Sequence, residues 1–197
     1  MAWQATMIMF EAMGHERFTF HDIRLKAEEN LRIKSARRTG AESATSKYPQ
    51  FEEWLRDEAA EMSRQYEVFY CLERVARKLV VTVMERAAGN GWWTSGRVPQ
   101  KVIDEAATLM LRERDAGVTP RSSSSIDYTT FWHLSVIITS NWDVFEPVFP
   151  RTSKSGISKV MNSLNALRGP IAHCCHLSKH EAERFNFSVR DWLEAVS

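Results

Sequence analysis

The sequence predicts an all-α protein: a bundle of four to five helices over residues 49–197, preceded by a mostly helical extension over residues 1–48. Three observations predict it. Apolar residues recur at spacings of three and four over long stretches, which marks one face of a helix. The two β-branched runs, VVTV at 80–83 and SVIIT at 135–139, continue that spacing into their neighbours and do not alternate as a half-buried strand would. Helix-stopping signals, such as Gly89-Asn90-Gly91 and the two prolines of FEPVFP, fall between periodic stretches.

The elements follow in order. HDIRLKAEENLRIKSARR, residues 21–38, reads as a helix, and from Arg24 to Arg38 it holds six basic against two acidic residues. TGAESATSKYP is small and polar, ends in proline, and reads as a linker. Phe51, Trp54, Leu55, Met62, Tyr66, Phe69, Tyr70 and Leu72 begin an apolar spacing that runs on to Met84. One long helix, or two with a break near Ser63, carries them as its buried face. After the Gly-Asn-Gly stop, WWTSGRVP reads as a turn that buries aromatics. Pro99 suits a first helical turn, and VIDEAATLMLRER follows as a second helix with its basic residues at the C-terminal end of the dipole. AGVTPRSSSS is a surface loop. YTTFWHLSVIITSNW gives a third, strongly apolar helix, FEPVFPRTSKS an irregular connection, and SGISKVMNSLNALR a fourth helix. In the fifth, SKHEAERFNFSVRDWLEAV, Ser178 and Glu181 stand in the relation of a capping box.

Composition excludes little and bounds much. The chain is 44% hydrophobic and 26% charged with a formal charge of +1, an ordinary soluble balance with no bulk field that would advertise a nucleic-acid binder. No window approaches the 18 or so apolar residues of a membrane span, and the opening residues make a poor signal peptide, so no membrane partner is expected. Three cysteines, two of them adjacent, do not make a disulfide framework. The expected location is cytoplasmic.

Chemistry-bearing residues crowd into LNALRGPIAHCCHLSKHEAERF, residues 164–185. A metal reading would recruit His173, Cys174, Cys175, His176 and His180, but structural zinc joins two pairs across a loop, and no second pair occurs elsewhere. No metal or other cofactor is expected, and the cysteines read as small buried residues. Arg168 and His173 offer a different chemistry. A step of five on an unbroken helix turns about 500°, which would point the two side chains about 140° apart. Gly169-Pro170 allows the helix to bend and bring them towards one cleft. Imidazole titrates near neutrality and can take the proton of an RNA 2′-hydroxyl, while a fixed guanidinium can hold the phosphate and the charge that gathers on it. Taken alone, so short a pair reads more readily as a helix cap and a histidine bonded within the bundle.

The stretch resembles the terminal motif of the HEPN superfamily, whose signature is Arg, four residues, His near the end of a helical bundle. YEVFYCLERVARKLV at 66–80 resembles the first long helix of the branch found at the end of a nuclear mRNA-surveillance endonuclease and in bacterial proteins. The WW at 92–93 with VP at 98–99, the Tyr128–Leu134 stretch and NWDVF at 141–145 are similar in the same order. The resemblance spans roughly residues 64 to 195. It implies a HEPN-like bundle that forms a homodimer, with two motifs facing each other across a shared cleft, and a metal-independent endoribonuclease leaving a 2′,3′-cyclic phosphate. Arg168 and His173 are then the catalytic pair and RNA the partner. Family members often serve as toxins or antiviral defence effectors, which implies an antitoxin or regulatory protein partner; others are inactive RNA-binding or assembly modules. The position after the Arg is commonly Asn or another polar residue and is Gly169 here, which removes a hydrogen bonder beside the phosphate. Glu73, Arg74, Asn141, His176 and His180 are supporting or RNA-binding candidates, each with a plain alternative as a solvated, paired or capping residue. Arg32, Lys34, Arg37 and Arg38 would suit a nucleic-acid backbone or a solvated face.

Overall fold

The computed structural model describes residues 48–196, so the expectations for residues 1–47 lie outside the described residues. Helix α1, Glu53–Ala88, is a single unbroken helix of 36 residues with no interruption at Ser63. It stops at Gly89, whose φ of 71° favours glycine and whose N–H donates to the Glu85 carbonyl. Its buried face runs through Gln65, Val68, Phe69, Leu72, Ala76, Leu79, Val80 and Met84. That face is narrower than the apolar spacing suggests. Phe51, Trp54, Leu55, Tyr66 and Tyr70 are all exposed. No residue of α1 before Gln65 is buried, and Tyr66 and Tyr70 each follow a buried residue by one position, which turns them about 100° off the core.

Trp92–Thr94 forms a 3-10 turn that buries Trp92. Helix α2, Gln100–Asp115, begins directly after Pro99, which stands just before its first turn, and carries Arg112 and Arg114 in its last turn. The loop after it is tied down by Arg121, whose Nε donates to Glu113 at 2.7 Å and whose guanidinium lies over the Tyr128 ring. The Arg121 guanidinium holds the Glu113 carboxyl below the usual range.

Helix α3, Phe131–Ser140, begins later than the apolar run because Thr130 caps it and residues Ser125–Tyr128 form a 3-10 turn. His133 completes this cap from inside. Its Nδ1 accepts from the Thr130 N–H at 2.9 Å, which leaves Nε2 to donate to Glu105 of α2 at 2.8 Å. The third helix, expected to run to Trp142, ends at Ser140; a one-turn helix α4, Trp142–Phe145, follows, and the connection from Phe145 holds a 3-10 turn, Glu146–Val148. Trp142 stacks on Phe149, which meets buried Trp192 edge-on.

Helix α5, Lys154–Ala172, starts at the Ser153 cap, and α6, Lys179–Val196, starts at Ser178. Helices α1, α3 and α5 pack on one another and α6 lies along α5. Leu72, Leu134, Ile137, Met161, Leu164 and Phe185 meet in the shared core. Both β-branched runs are helical, and there is no strand among the described residues. No helix among them is long and apolar enough to cross a membrane.

The Ser178–Glu181 box forms as expected: the Ser178 N–H donates to Glu181 Oε2 at 3.0 Å and the Glu181 N–H to Ser178 Oγ at 3.2 Å. The Ser178 backbone N–H, then its hydroxyl, hold the Glu181 carboxyl below the ordinary value. A carboxyl depressed in the folded state stabilises above its unfolded pKa, and that stabilisation is lost as pH falls through the folded value. Thermal melts at neutral pH and below about pH 4 should therefore show wild type losing more stability on acidification than Glu181→Gln. Parallel losses in the two proteins would sink this assignment.

Candidate active site

The site is built where the last turns of α5 cross the middle of α1. Arg168 projects from α5 and its Nε donates to Glu73 Oε2 of α1 at 3.4 Å. The other carboxylate oxygen of Glu73 accepts from Arg77 at 2.7 Å, and Arg77 also donates to the Thr129 carbonyl just before α3 at 3.2 Å. One carboxylate thus bridges two guanidiniums, and the second of these is anchored to the turn that starts α3. The Arg168–Glu73 contact is long and partly exposed, worth at most about 1 kcal/mol. A phosphate could displace it at small cost.

These residues face a groove of about 180 Å³ lined by Tyr66, Phe69, Tyr70, Glu73, Arg74, Arg77, Arg168, Ile171 and Ala172. Arg74 makes no hydrogen bond or ion pair among the described residues and is exposed at the groove. Three guanidiniums against one carboxylate leave the groove net positive, and an anion would find a free cation and a weakly held one side by side.

His173 does not join them. It is the residue that ends α5, its backbone N–H donating to the Gly169 carbonyl at 3.0 Å, and its imidazole is exposed, without a hydrogen bond or ion pair among the described residues and outside the groove lining. The bend expected at Gly169-Pro170 does not interrupt the helix, which runs on to Ala172. Pro170 removes only the bond to the Ala166 carbonyl, and Ala166 is exposed, so water can serve that oxygen. A residue before proline is normally pushed out of the helical region by its Cβ, and Gly169 has none. Gly169 therefore keeps the helix continuous where it was expected to let it bend. A Cβ built at Gly169 meets nothing within 4 Å outside its chain neighbours, so the side lost relative to a polar residue is open space.

The remaining candidates divide. Glu73 and Arg74 are in the groove. Asn141 is not: it is buried at the end of α3, its amide donating to the Ile137 and Arg97 carbonyls at 2.9 and 3.1 Å, and so it fastens α3 to the segment after Trp92. His176 lies 3.8 Å from Glu61 of α1, and exposed His180 has no side-chain hydrogen bond or ion pair among the described residues. Cys174 and Cys175 are exposed, contrary to the buried setting expected for them. They fall in the short link between α5 and α6, where Cys174 takes a φ of 56° and Leu177 is the buried anchor. Among the described residues no three His, Cys, Asp or Glu side chains gather as metal ligands would. Sequence reasoning missed Tyr66, Tyr70 and Arg77 as groove residues. The i, i+4 relation of Tyr66, Tyr70 and Arg74 was the available signal.

A helical frame with Arg168 on its penultimate helix, five residues before the histidine that ends that helix, has a match among known families: the family model described as Swt1-like HEPN covers residues 67–197. The chain belongs to the Swt1-like HEPN family. The match begins at Glu67, so it takes in α6 and the groove residues of α1 except Tyr66, and leaves the exposed start of α1 outside. No significant match occurs among curated proteins or among solved structures.

The account of Gly169-Pro170 is open to measurement. Pro170→Ala returns a donor to Ala166 and should raise stability by about 1–3 kcal/mol, seen as a melting temperature higher by roughly 2–4 °C per kcal/mol. An unchanged melt would mean that the proline costs the helix nothing at this position.

Proposed function

We propose that this HEPN protein is a metal-independent endoribonuclease whose active site is completed by a second copy of the chain. The observation that carries the reading is the separation of Arg168 and His173 on one unbroken helix: Arg168 lines the cationic groove, and His173 stands exposed beside its end with an unengaged imidazole. Arginine alone binds a phosphodiester and cannot take the proton of the neighbouring 2′-hydroxyl. Two copies related by a twofold axis would set the helix ends of both against each other, so that each Arg168 meets the partner's histidine.

In that arrangement the guanidinium of Arg168 exchanges Glu73 for the phosphate. One neutral imidazole takes the proton of the 2′-hydroxyl, the 2′-oxygen attacks phosphorus, and the bond to the 5′-oxygen breaks. The leaving oxygen takes its proton from the solvent, the imidazolium returns its own proton to the solvent, and the products are a 2′,3′-cyclic phosphate and a free 5′-hydroxyl. A ribonuclease of this kind fits a toxin or defence effector restrained by an antitoxin or other regulatory protein. The second reading is a silent module that binds RNA or another protein, favoured by the open space where Gly169 offers no polar side chain.

Purified protein incubated with total RNA in EDTA should cleave it, and Arg168→Ala and His173→Ala should each lower the rate at least about 100-fold. Mixing the two variants separates the shared site from a single-chain one. Half of the randomly formed dimers would be mixed, each with one intact site, so up to about a quarter of wild-type activity should return. No recovery on mixing would place Arg168 and His173 in the same chain's site, and intact RNA with folded wild type would favour the silent module.

A further inference from the structure

Tyr66, Tyr70 and Arg74 follow one another at steps of four on α1, so they form a single ridge beside the groove. The two tyrosine rings are 56% and 54% exposed, with centroids 6.1 Å apart and planes tilted by 33°. Large aromatic faces on a helix normally go to the core, and here the core is filled by their neighbours Gln65 and Phe69. Arg74 at the end of the ridge is unpaired among the described residues, and Arg168 stands across the groove from it.

Charge gives the ridge a direction. Residues 52–63 hold Glu52, Glu53, Asp57, Glu58 and Glu61 against Arg56 alone, while residues 64–78 hold Arg64, Arg74, Arg77 and Lys78 against Glu67 and Glu73. An anionic strand is repelled from the start of α1 and drawn along Tyr66 and Tyr70 towards Arg168. Exposed π-faces in register with one unpaired and one weakly held guanidinium are what a single-stranded nucleotide chain requires, its bases on the rings and its phosphates on the arginines. A protein partner would place an apolar surface over Arg74, which has no counter-ion among the described residues, and over Arg168, which Glu73 holds only weakly.

We infer that Tyr66, Tyr70 and Arg74 form a stacking ladder that seats unpaired RNA nucleotides next to Arg168. The inference rests on the reading of the groove as an RNA site and adds to it a preference for single strands. Duplex RNA hides its base faces and has no use for the tyrosines.

The test is the anisotropy of a labelled single-stranded RNA of about ten nucleotides titrated with the full-length His173→Ala protein at fixed salt, which separates binding from cleavage. Replacing Tyr70 by alanine in that background should weaken binding roughly 5- to 100-fold, whereas Tyr70→Phe should stay within about twofold, because stacking needs the ring and not the hydroxyl. Phe187→Ala, an exposed aromatic on α6, should leave affinity unchanged. Both tyrosines are exposed and alanine favours helix, so the variants should fold.

Equal affinity in the Tyr70→Ala protein would overturn the ladder, as would tighter binding of a duplex of the same length. A loss of affinity that comes only with dissociation in sedimentation would also overturn it and assign the ridge to the contact between copies. The nuclease reading fails separately. Wild type that binds through the tyrosines without cutting keeps the ladder and loses the enzyme; wild type that cuts equally well with both tyrosines replaced keeps the enzyme and loses the ladder.

Discussion

The register of α1 is the constraint from which both core and groove follow. One face of this helix, Val68 to Met84, supplies the surface on which α3 and α5 pack, and a turn of about 100° away another supplies Tyr70, Glu73, Arg74 and Arg77. The two faces cannot be adjusted independently. A break near Ser63 would still have left both intact, but a break at Leu72 would have separated Glu73 from the arginines it joins. The continuity of the helix through its middle turns is therefore as important to the groove as to the core, and burial of Leu72 and Ala76 is what enforces it.

Glu73 connects the elements at the point where they meet. It receives Arg77 from its own helix and Arg168 from α5, and Arg77 in turn holds the carbonyl of Thr129. A groove with three guanidiniums and no carboxylate would repel itself and splay the arginines into water. With one carboxylate the cluster is kept together while a net positive charge remains for a ligand. The unequal distances, 2.7 Å to Arg77 and 3.4 Å to Arg168, divide the labour: the first pair is structural, and the second is weak enough to yield Arg168.

Much of the fold was legible in the sequence because its signals are local. Periodicity carried the five longer helices, glycine at 89 ended α1, and Ser178 with Glu181 marked the start of α6. The errors came where a local signal is shared by two outcomes. Tyr66 and Tyr70 satisfy a helical spacing whether they point inward or out, and only the packing of Gln65 and Phe69 decides it. Gly169-Pro170 reads as a break in any sequence, yet glycine before proline also relieves the clash that would end a helix. Arg168 was readable as a motif residue, whereas its tie to Glu73 spans 95 positions and leaves no local trace. Asn141 was placed near the motif by its polar character at a helix end and belongs instead to the clamp on Arg97.

In the proposed nuclease, the same unbroken helix determines how reactive a single chain can be. If α5 bent at Gly169, a single chain could gather a phosphate binder and a proton acceptor into one cleft and act as a monomer. Because α5 continues unbroken and bonds His173 back to Gly169, the imidazole stands apart from the groove, and in the proposed nuclease the chemistry is divided between surfaces. Under that proposal, division would make activity depend on protomer concentration and on anything that competes for the end of α5, a property that would let a ribonuclease spare the RNA around it. Gly169 and Pro170 then have one function in common. The proline fixes the path of the last turn, the glycine permits it, and together they hold Arg168 inward and His173 out.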